Sequence, residues 1–231
     1  MVYSSHVLEH FSPVNAERFL SECYRVMKDG GILRVVVPDL EILVRAYLKA
    51  LSECSGDPHS IAIHDWATIQ LIDQLTRDEP GGQMLKFLTS VDLASAEIIA
   101  KTSKTAREVF ERRTKAKFQR IKEQSSAQND LSKFSSPGWF HRLCSRAVGL
   151  VKSSRNREFH TTGETHKWMY DRKSLGRLLL RCGFRDFQVC NATTSYYTHW
   201  QACHLDADPD GTIYRPDSLY IEAIKWESSL V

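Results

Sequence analysis

The sequence has no long apolar run and no paired cysteines, and each absence excludes a class of protein. No stretch of the 231 residues approaches the roughly 20 consecutive apolar residues of a membrane-spanning helix, so we predict no membrane partner. The six cysteines are scattered without a Cys-x-x-Cys pair, which excludes the common zinc-ribbon and dithiol redox motifs. Cys23 and Cys182 fall on apolar helix stripes, where reduced thiols behave as small hydrophobic side chains. We therefore expect a reducing, cytoplasmic compartment.

The sequence also lacks a glycine-rich phosphate loop and a strong net charge. Its paired glycines, at residues 30–31 and 81–82, neither follow a predicted strand nor open a helix as a nucleotide cradle would. The net charge of +3 is too small to indicate nucleic acid, so we predict no such partner. From Lys101 to Lys122, nine basic residues stand against two acidic ones. This run favours a solvated helix face, and a phosphate-bearing partner is the alternative.

The first 38 residues predict one parallel β-α-β unit. Residues 2–5 can form a short strand, and Ser12 can cap a helix that has Pro13 at its first position. Paired glycines then end the helix, because glycine readily takes the left-handed conformation of a helix stop. Residues 32–37 form a nearly continuous apolar run, which is typical of a strand buried on both faces.

The remaining chain predicts several helices followed by two more strands. Helical patterns cover residues 39–50, 61–76 and 93–121, and a further helix follows a predicted N-cap at Asp171. The last strand covers Ser218 to Trp226. Because strands and helices alternate around the first unit, the pattern predicts an α/β fold with a large helical insertion.

Four segments carry a resemblance to a known family. In chain order they are VYSSHVLEHF, ECYRVMKDGGILRVVVPDLE, HKWMYDRKSLGRLLLRCGF and PDSLYIEAIK. Their order and spacing resemble the C-terminal portion of a class I S-adenosylmethionine-dependent methyltransferase. The resemblance implies a partial Rossmann-like sheet taken from the family order 3-2-1-4-5-7-6. This chain would supply the fourth strand onward, with the last strand antiparallel.

The resemblance also implies a division of the chain and a missing motif. Residues 1–38 and 164–231 would form the partial Rossmann-like domain, and 39–163 the helical insertion, with a mobile basic and Ser-rich segment near 124–162. The family's glycine-rich cofactor motif would lie before Met1. We therefore expect a truncated chain that is inactive alone, or a non-catalytic fragment that acts through a partner.

The implied reaction is methyl transfer from S-adenosylmethionine to a small-molecule or saccharide-like acceptor. The loop after the first strand would lie at the sheet edge where α/β proteins bind ligands. By resemblance, Ser5 and His6 would flank the methionine end of the cofactor, Glu9 would line the substrate pocket, and His10 would be the candidate catalytic base. The alternative is that Glu9 and His10 only cap the following helix.

Later residues complete the implied pocket and suggest a partner surface. His166 and Tyr170 are substrate-pocket candidates, whereas Trp168 is better interpreted as a buried anchor and Asp171 as an N-cap. If the family's neighbouring strand is absent, residues Val2–Ser5 would form an exposed edge. Such an edge can pair with a second copy of the chain, giving a homo-oligomer, or with another partner.

Two metal motifs are alternatives that the sequence does not favour, so we predict no metal site. His6-x-x-Glu9-His10 spells the pattern of a metal-dependent hydrolase, but that chemistry needs a continuous helix around the motif, and Pro13 follows too closely. Asp206 to Asp217 has acids at positions 1, 3, 5 and 12 and glycine at position 6, as calcium loops do. Strands flank it, so a turn rich in Asp, Gly and Pro is the favoured interpretation and calcium stays open.

Overall fold

The computed structural model describes residues 1–127 and 165–226 and shows the mixed α/β fold that the sequence predicts. The elements are β1 (Val2–Ser5), α1 (Pro13–Val26), β2 (Ile32–Pro38), α2 (Leu40–Glu53), α3 (Pro58–Thr76), α4 (Gly82–Ser90), α5 (Leu93–Ile99), α6 (Lys104–Ala127), α7 (Arg172–Arg181), β3 (Phe184–Cys190) and β4 (Ser218–Lys225). Short 3-10 helices cover Leu8–His10 and Trp200–Cys203. Apart from the end of α6, the segment 124–162 that the sequence predicts to be mobile lies outside the described residues.

The four strands form one sheet in the order β1-β2-β4-β3. β1 pairs with β2 in parallel, with Ser4 opposite Val35, which confirms the predicted β-α-β unit. β4 is antiparallel to both of its neighbours. β1 therefore lies at one end of the sheet, and within the described part of the chain its outer edge has no paired strand.

The boundaries of α1 follow from the residues that the sequence singles out. The Ser12 hydroxyl accepts a hydrogen bond from the backbone N–H of Asn15, and Pro13 occupies the first helical position. After the helix, Gly30 has a φ of +71°, and its N–H donates to the Lys225 carbonyl at 2.8 Å. The glycine conformation thus turns the chain from α1 onto the sheet.

Strand β2 is buried on both faces, and each face packs against a different part of the chain. One face joins α1 and α7 in the main apolar core; its fully enclosed members include Ala16, Leu20, Leu33, Val37, Leu175 and Leu179. The other face carries Arg34 and Val36 and is covered by the chain between β3 and β4, including Trp200. Each enclosed Leu or Val contributes about 1.5–3 kcal/mol, so β2 anchors the domain.

The helices between β2 and α7 differ in part from the sequence expectation. The predicted helix over 93–121 is two helices, α5 and α6, because the Ser103 hydroxyl accepts from the Ala106 N–H and starts a new helix. Helix α4 has no counterpart in the sequence analysis. A second apolar cluster holds α3 to α6 together, and its members are Trp66, Met84, Leu88, Ile99, Ala106 and Val109.

No helix in the described ranges combines the length and apolar character needed to cross a bilayer. The division of the chain into a sheet domain and a helical insertion stays a prediction.

Candidate functional site

A cavity of about 430 Å³ opens at the carboxyl ends of β1 and β2. The loop after β1 forms one wall, and helices α3, α4 and α6 form the opposite wall. Its polar lining includes His6, Glu9, His10, Arg77, His166 and Arg215. The cavity therefore lies at the edge where open α/β sheets place ligands.

The backbone after β1 turns sharply and aims Glu9 inward. His6 has a φ of +53°, a left-handed conformation that is uncommon for a residue with a side chain. Its N–H still donates to the Val36 carbonyl at 2.8 Å, which holds the turn on the sheet. The turn leads into the short 3-10 helix, whose first residue, Leu8, is fully buried and anchors it. Because Leu8 fixes this helix, the neighbouring Glu9 is only 1% exposed.

The Glu9 carboxylate is buried beside His6. Its Oε1 lies 3.1 Å from Nδ1 of His6, while Nε2 of His6 lies 3.0 Å from the Ser218 hydroxyl. His6 therefore approaches Glu9 at ion-pair distance. In the described part of the chain neither carboxylate oxygen has a hydrogen-bond donor. Burial raises the pKa of Glu9, but His6 and, more weakly, His166 outweigh it, so the pKa lies below its ordinary value.

Backbone hydrogen bonds bring His166 to this carboxylate from a distant part of the sequence. The N–H groups of Lys167 and Trp168 donate to the Glu9 carbonyl at 2.7 and 3.2 Å. The N–H of His166 donates to the Gln74 carbonyl of α3 at 2.9 Å. Burial lowers the pKa of His166 to about 4, against the opposing effect of Glu9. The His166 ring is therefore neutral at neutral pH.

The side chains of Glu9, His10 and His166 converge. One ligand atom of each lies within 4.8 Å of the other two. The rings of His10 and His166 meet edge to face, with centroids 4.9 Å apart. Nδ1 of His10 is buried and has no hydrogen-bond partner in the described ranges. Helix α1 is capped by Ser12, so the alternative in which Glu9 and His10 serve only as its caps does not hold.

The structure removes the support for both metal motifs that the sequence contains. His6 and His10 lie on a turn and a 3-10 helix, so they do not share the helix that a metal-dependent hydrolase of this pattern needs. In the calcium-like segment, Asp206 is 3% exposed, and its two oxygens accept from the Tyr3 hydroxyl and the Arg34 guanidinium. The segment is the Asp, Gly and Pro turn that the sequence favours, closed by a bridge between Ala207 and Ile213.

Other predicted site residues lie away from the cavity. Ser5 pairs with Val36 in the sheet. Tyr170 is buried in the core, its hydroxyl has no hydrogen-bond partner among the described residues, and burial raises the pKa of this hydroxyl to about 12. Neither lines the cavity, and their assigned roles stay predictions. Trp168 is 46% exposed, so its interpretation as a buried anchor is wrong. Asp171 accepts hydrogen bonds from two N–H groups of α7 and is the predicted N-cap.

Sequence reasoning missed the cationic side of the cavity. The cationic lining residues outside the predicted set are Arg77, Lys104, Arg112 and Arg215. Three of them lie in α6 or directly after α3, on helix surfaces where charged residues ordinarily face solvent. The basic run that begins at Lys101 was the available signal, because two of these residues fall within it.

The described residues do not include a loop of the kind that binds a nucleotide. In residues 1–127 and 165–226, no glycine-containing turn follows a strand and opens a helix, so nothing there lets the backbone approach a nucleoside. Both ring nitrogens of His6 already face internal partners, Glu9 and Ser218. This part of the chain therefore does not form a complete S-adenosylmethionine site.

Comparison with known proteins gives one partial match. Residues 1–35 match a family model described as a methyltransferase domain. No curated protein and no solved structure matches the chain. The matched segment contains β1, α1 and the loop that supplies His6, Glu9 and His10 to the cavity. The first β-α unit of this chain is thus similar to a methyltransferase domain, which supports a methyltransferase-family function.

Proposed function

We propose that this chain forms the acceptor-binding part of a cytoplasmic, class I methyltransferase that uses S-adenosylmethionine. The observation that carries the proposal is that the segment matching a methyltransferase domain supplies one wall of the cavity. The strand order β1-β2-β4-β3 supports it, because the resemblance implies the order 4-5-7-6 for the corresponding strands. The Rossmann-like character of the partial sheet is part of this proposal.

The proposed acceptor is a small, acidic, saccharide-like molecule with a reacting hydroxyl. Four cationic side chains line the cavity, and they are matched by fewer acidic ones in its lining, Glu9 and Asp217. Arg77 pairs with Asp73 of its own helix at 2.8 Å, and Lys104 and Arg112 lie 4.0 and 3.8 Å from Glu108. A carboxylate or phosphate on the acceptor would be an additional anionic partner for these three side chains and a partner for Arg215.

His10 is the proposed general base. It lines the cavity, and its Nδ1 is buried without a hydrogen-bond partner in the described ranges. A base at this position would take the proton of the acceptor hydroxyl as the oxygen attacks the methyl group. The protein would otherwise act by holding the acceptor in line with that group.

Calorimetric titration tests this function on the purified chain. Glucuronate and glucose 1-phosphate are expected to bind, whereas neutral glucose is expected to bind at least about tenfold more weakly. Arg215→Ala should weaken binding of the acidic sugars, and Arg25→Ala, which removes an exposed arginine outside the cavity, should not. S-adenosylhomocysteine should bind weakly or not at all to the chain alone. Equal binding of neutral and acidic sugars, or no binding of either, would contradict the acidic acceptor site.

We also propose that a partner strand, from a second copy or another protein, pairs with the outer edge of β1. Among the described residues that edge has no strand beside it. Exposed backbone donors and acceptors at a sheet edge are a template for strand addition.

A further inference from the structure

Three side chains at the cavity floor have the composition of a divalent metal site. Glu9 is 1% exposed, and neither of its carboxylate oxygens has a hydrogen-bond donor in the described chain. His6 Nδ1 lies 3.1 Å from Oε1, so this contact replaces part of the hydration that the buried carboxylate loses, and a bound cation would replace more of it. Nδ1 of His10 is also buried and has no hydrogen-bond partner within residues 1–127 and 165–226, and His166 is 8% exposed. The structure therefore brings one carboxylate and two imidazoles within 4.8 Å of one another, and in the described ranges Nδ1 of His10 has no hydrogen-bond partner.

We propose that Glu9, His10 and His166 bind a divalent transition-metal ion, Zn²⁺ in the first instance. Two His and one carboxylate are a ligand set that zinc enzymes use, with a further coordination position left open. The set differs from the His6-x-x-Glu9-His10 pattern in the sequence, because His166 takes the place of His6. It is also independent of the calcium-like turn at Asp206.

The main chain already holds the three ligands in place. Glu9 and His10 are consecutive residues of one 3-10 helix. The hydrogen bonds from Lys167 and Trp168 to the Glu9 carbonyl fix His166 opposite them. Behind the carboxylate, His6 lies 3.1 Å from Oε1 and is itself 3.0 Å from the Ser218 hydroxyl. Such an outer layer of partners orients metal ligands and tunes their affinity.

The separations call for a small contraction on binding. The ligand atoms lie within 4.8 Å of one another, whereas tetrahedral bonds of about 2.1 Å would place them about 3.4 Å apart. Side-chain rotation can close this difference, because His10 is only half-buried and borders the cavity. The open coordination position would then face the cavity.

The surrounding charges are compatible with a cation at this position. Three of the four cationic lining residues have a carboxylate nearby: Arg77 donates to Asp73 at 2.8 Å, and Lys104 and Arg112 lie 4.0 and 3.8 Å from Glu108. Asp217 also lines the cavity, and burial raises the pKa of its carboxyl. The Glu9 carboxylate supplies one negative charge directly to the ion. Mg²⁺, which prefers an all-oxygen octahedral shell, is expected to bind poorly to two imidazoles.

Metal titration of the full chain tests the proposal. The protein is stripped with a chelator and titrated calorimetrically with Zn²⁺, and separately with Mg²⁺. One Zn²⁺ per chain is expected to bind with micromolar or tighter affinity and to raise the melting temperature by several degrees, because the ion binds only the folded state. Co²⁺ should give a visible d–d spectrum without a thiolate charge-transfer band, since no cysteine is among the ligands.

Three variants make the test specific. His10→Ala and Glu9→Gln should each weaken Zn²⁺ binding at least about 100-fold, given that even outer-shell changes cost 10–100-fold. His199→Ala removes an exposed histidine beside Cys203 and should leave the affinity unchanged. Glu9→Gln keeps the size of the buried side chain, and half-buried His10 provides a second variant if Glu9→Gln destabilises the fold. Unchanged Zn²⁺ affinity in His10→Ala, or no Zn²⁺ binding by the wild type, would overturn the proposal.

The metal site stands apart from the proposed methyl transfer. Zn²⁺ binding requires neither an acceptor nor S-adenosylmethionine, so it can be present when acidic sugars fail to bind, and the reverse also holds. Only the role of the ion in the reaction rests on the proposed function. With the ion bound, His10 would hold metal rather than accept a proton, and an acceptor hydroxyl in the open coordination position would lose its proton to water in the cavity, because a metal ion lowers the pKa of a coordinated hydroxyl.

Discussion

At the scale of single residues, Arg34 is a fully buried cation that pairs with two buried carboxylates. It is fully buried in β2, with its guanidinium 2.8 Å from both the Asp206 and the Glu222 carboxylates. Two backbone carbonyls also accept from it, and its charge lies 4.2 Å from the centroid of the Trp200 ring. The Arg34 cation neutralises both carboxylates, so its removal would leave Asp206 and Glu222 buried without a positively charged partner.

We expect Arg34→Met to lower the free energy of unfolding by about 3–5 kcal/mol, the usual loss when one partner of a buried ion pair is removed. Urea denaturation followed by tryptophan fluorescence measures this change. Arg45→Ala is the matched control, because Arg45 is exposed and pairs with Glu41 on the surface of α2. The control should change stability by at most about 1 kcal/mol. Equal losses in the two variants would contradict the structural role of Arg34.

The role of a residue is easier to predict from the sequence when it depends on a nearby strand than when it depends on partners far away in the chain. Glu9 and His10 could be assigned to the site because they lie in the loop after β1, at the sheet edge where ligands bind, and because the family resemblance implies their roles. Arg34 could not be assigned a role, since its partners lie 172 and 188 positions away. For the same reason Asp206 resembled a calcium ligand, although its carboxylate is turned into the interior.

At the scale of secondary-structure elements, α7 shows how a cap defines a helix. The Asp171 carboxylate accepts from the N–H groups of Lys173 and Ser174, and the Ser174 hydroxyl accepts in return from the Asp171 N–H. This reciprocal pair is a capping box, which satisfies N–H groups that the first turn leaves unbonded. Leu175 and Leu179 then place the helix on the core.

Asp171→Ala should lower the free energy of unfolding by about 1 kcal/mol at pH 7, the typical contribution of an N-cap. The Ser174 N–H holds the pKa of Asp171 below its ordinary value, so the charged form contributes stability above the unfolded-state pKa of about 3.9. That contribution is lost as the pH falls through the lower, folded-state pKa. The difference between wild type and Asp171→Ala should therefore shrink between about pH 5 and pH 3.

Thermal unfolding at several pH values checks this prediction. Glu97→Ala, an exposed change on α5, should stay within about 0.5 kcal/mol of wild type at every pH. A difference between wild type and Asp171→Ala that grows as the pH falls would contradict the assigned role of the charged cap.

The start of α4 explains why sequence reasoning missed this helix. Gly81 and Gly82 resemble a simple turn, and both have positive φ, +75° and +50°. The turn, however, places the chain against Asp73, whose carboxylate accepts from the Gln83 N–H at 2.6 Å. A carboxylate from another helix thus supplies the cap, which local sequence patterns cannot show.

Gly82→Ala should be more destabilising than Gly56→Ala. Both glycines have positive φ, so each substitution costs about 1–2 kcal/mol of backbone strain. A Cβ at residue 82 would lie 2.5 Å from an Asp73 oxygen, whereas one at residue 56 would meet nothing within 4 Å. Displacing Asp73 adds about 1–3 kcal/mol, the usual cost of overpacking. Urea denaturation of the two variants measures the difference, and equal losses would contradict the role of Asp73.

At the scale of the whole molecule, the two edges of the sheet differ. The β3 edge has a register shift between Arg185 and Gln188, an irregularity of the kind that discourages strand addition. The register of β1 against β2 is regular over all of its residues. Among the described residues the β1 edge is therefore the better template for a partner, and it lies beside the loop that forms the cavity.

The direction of the β1 N–H groups allows a test of this edge that leaves the sheet intact. The His6 N–H donates to the Val36 carbonyl of β2. The N–H groups of alternate residues in a strand point to the same side. The Ser4 N–H therefore faces β2, and the Ser5 N–H faces outward. Proline lacks this donor and is tolerated on an edge where the N–H faces away from the sheet. Ser5→Pro should abolish self-association and keep the melting temperature close to that of wild type, whereas Ser4→Pro should break the ladder and destabilise the fold. Analytical ultracentrifugation across a concentration series measures the association. A wild type that stays monomeric, or a Ser5→Pro variant that associates as wild type does, would contradict pairing of two copies through β1.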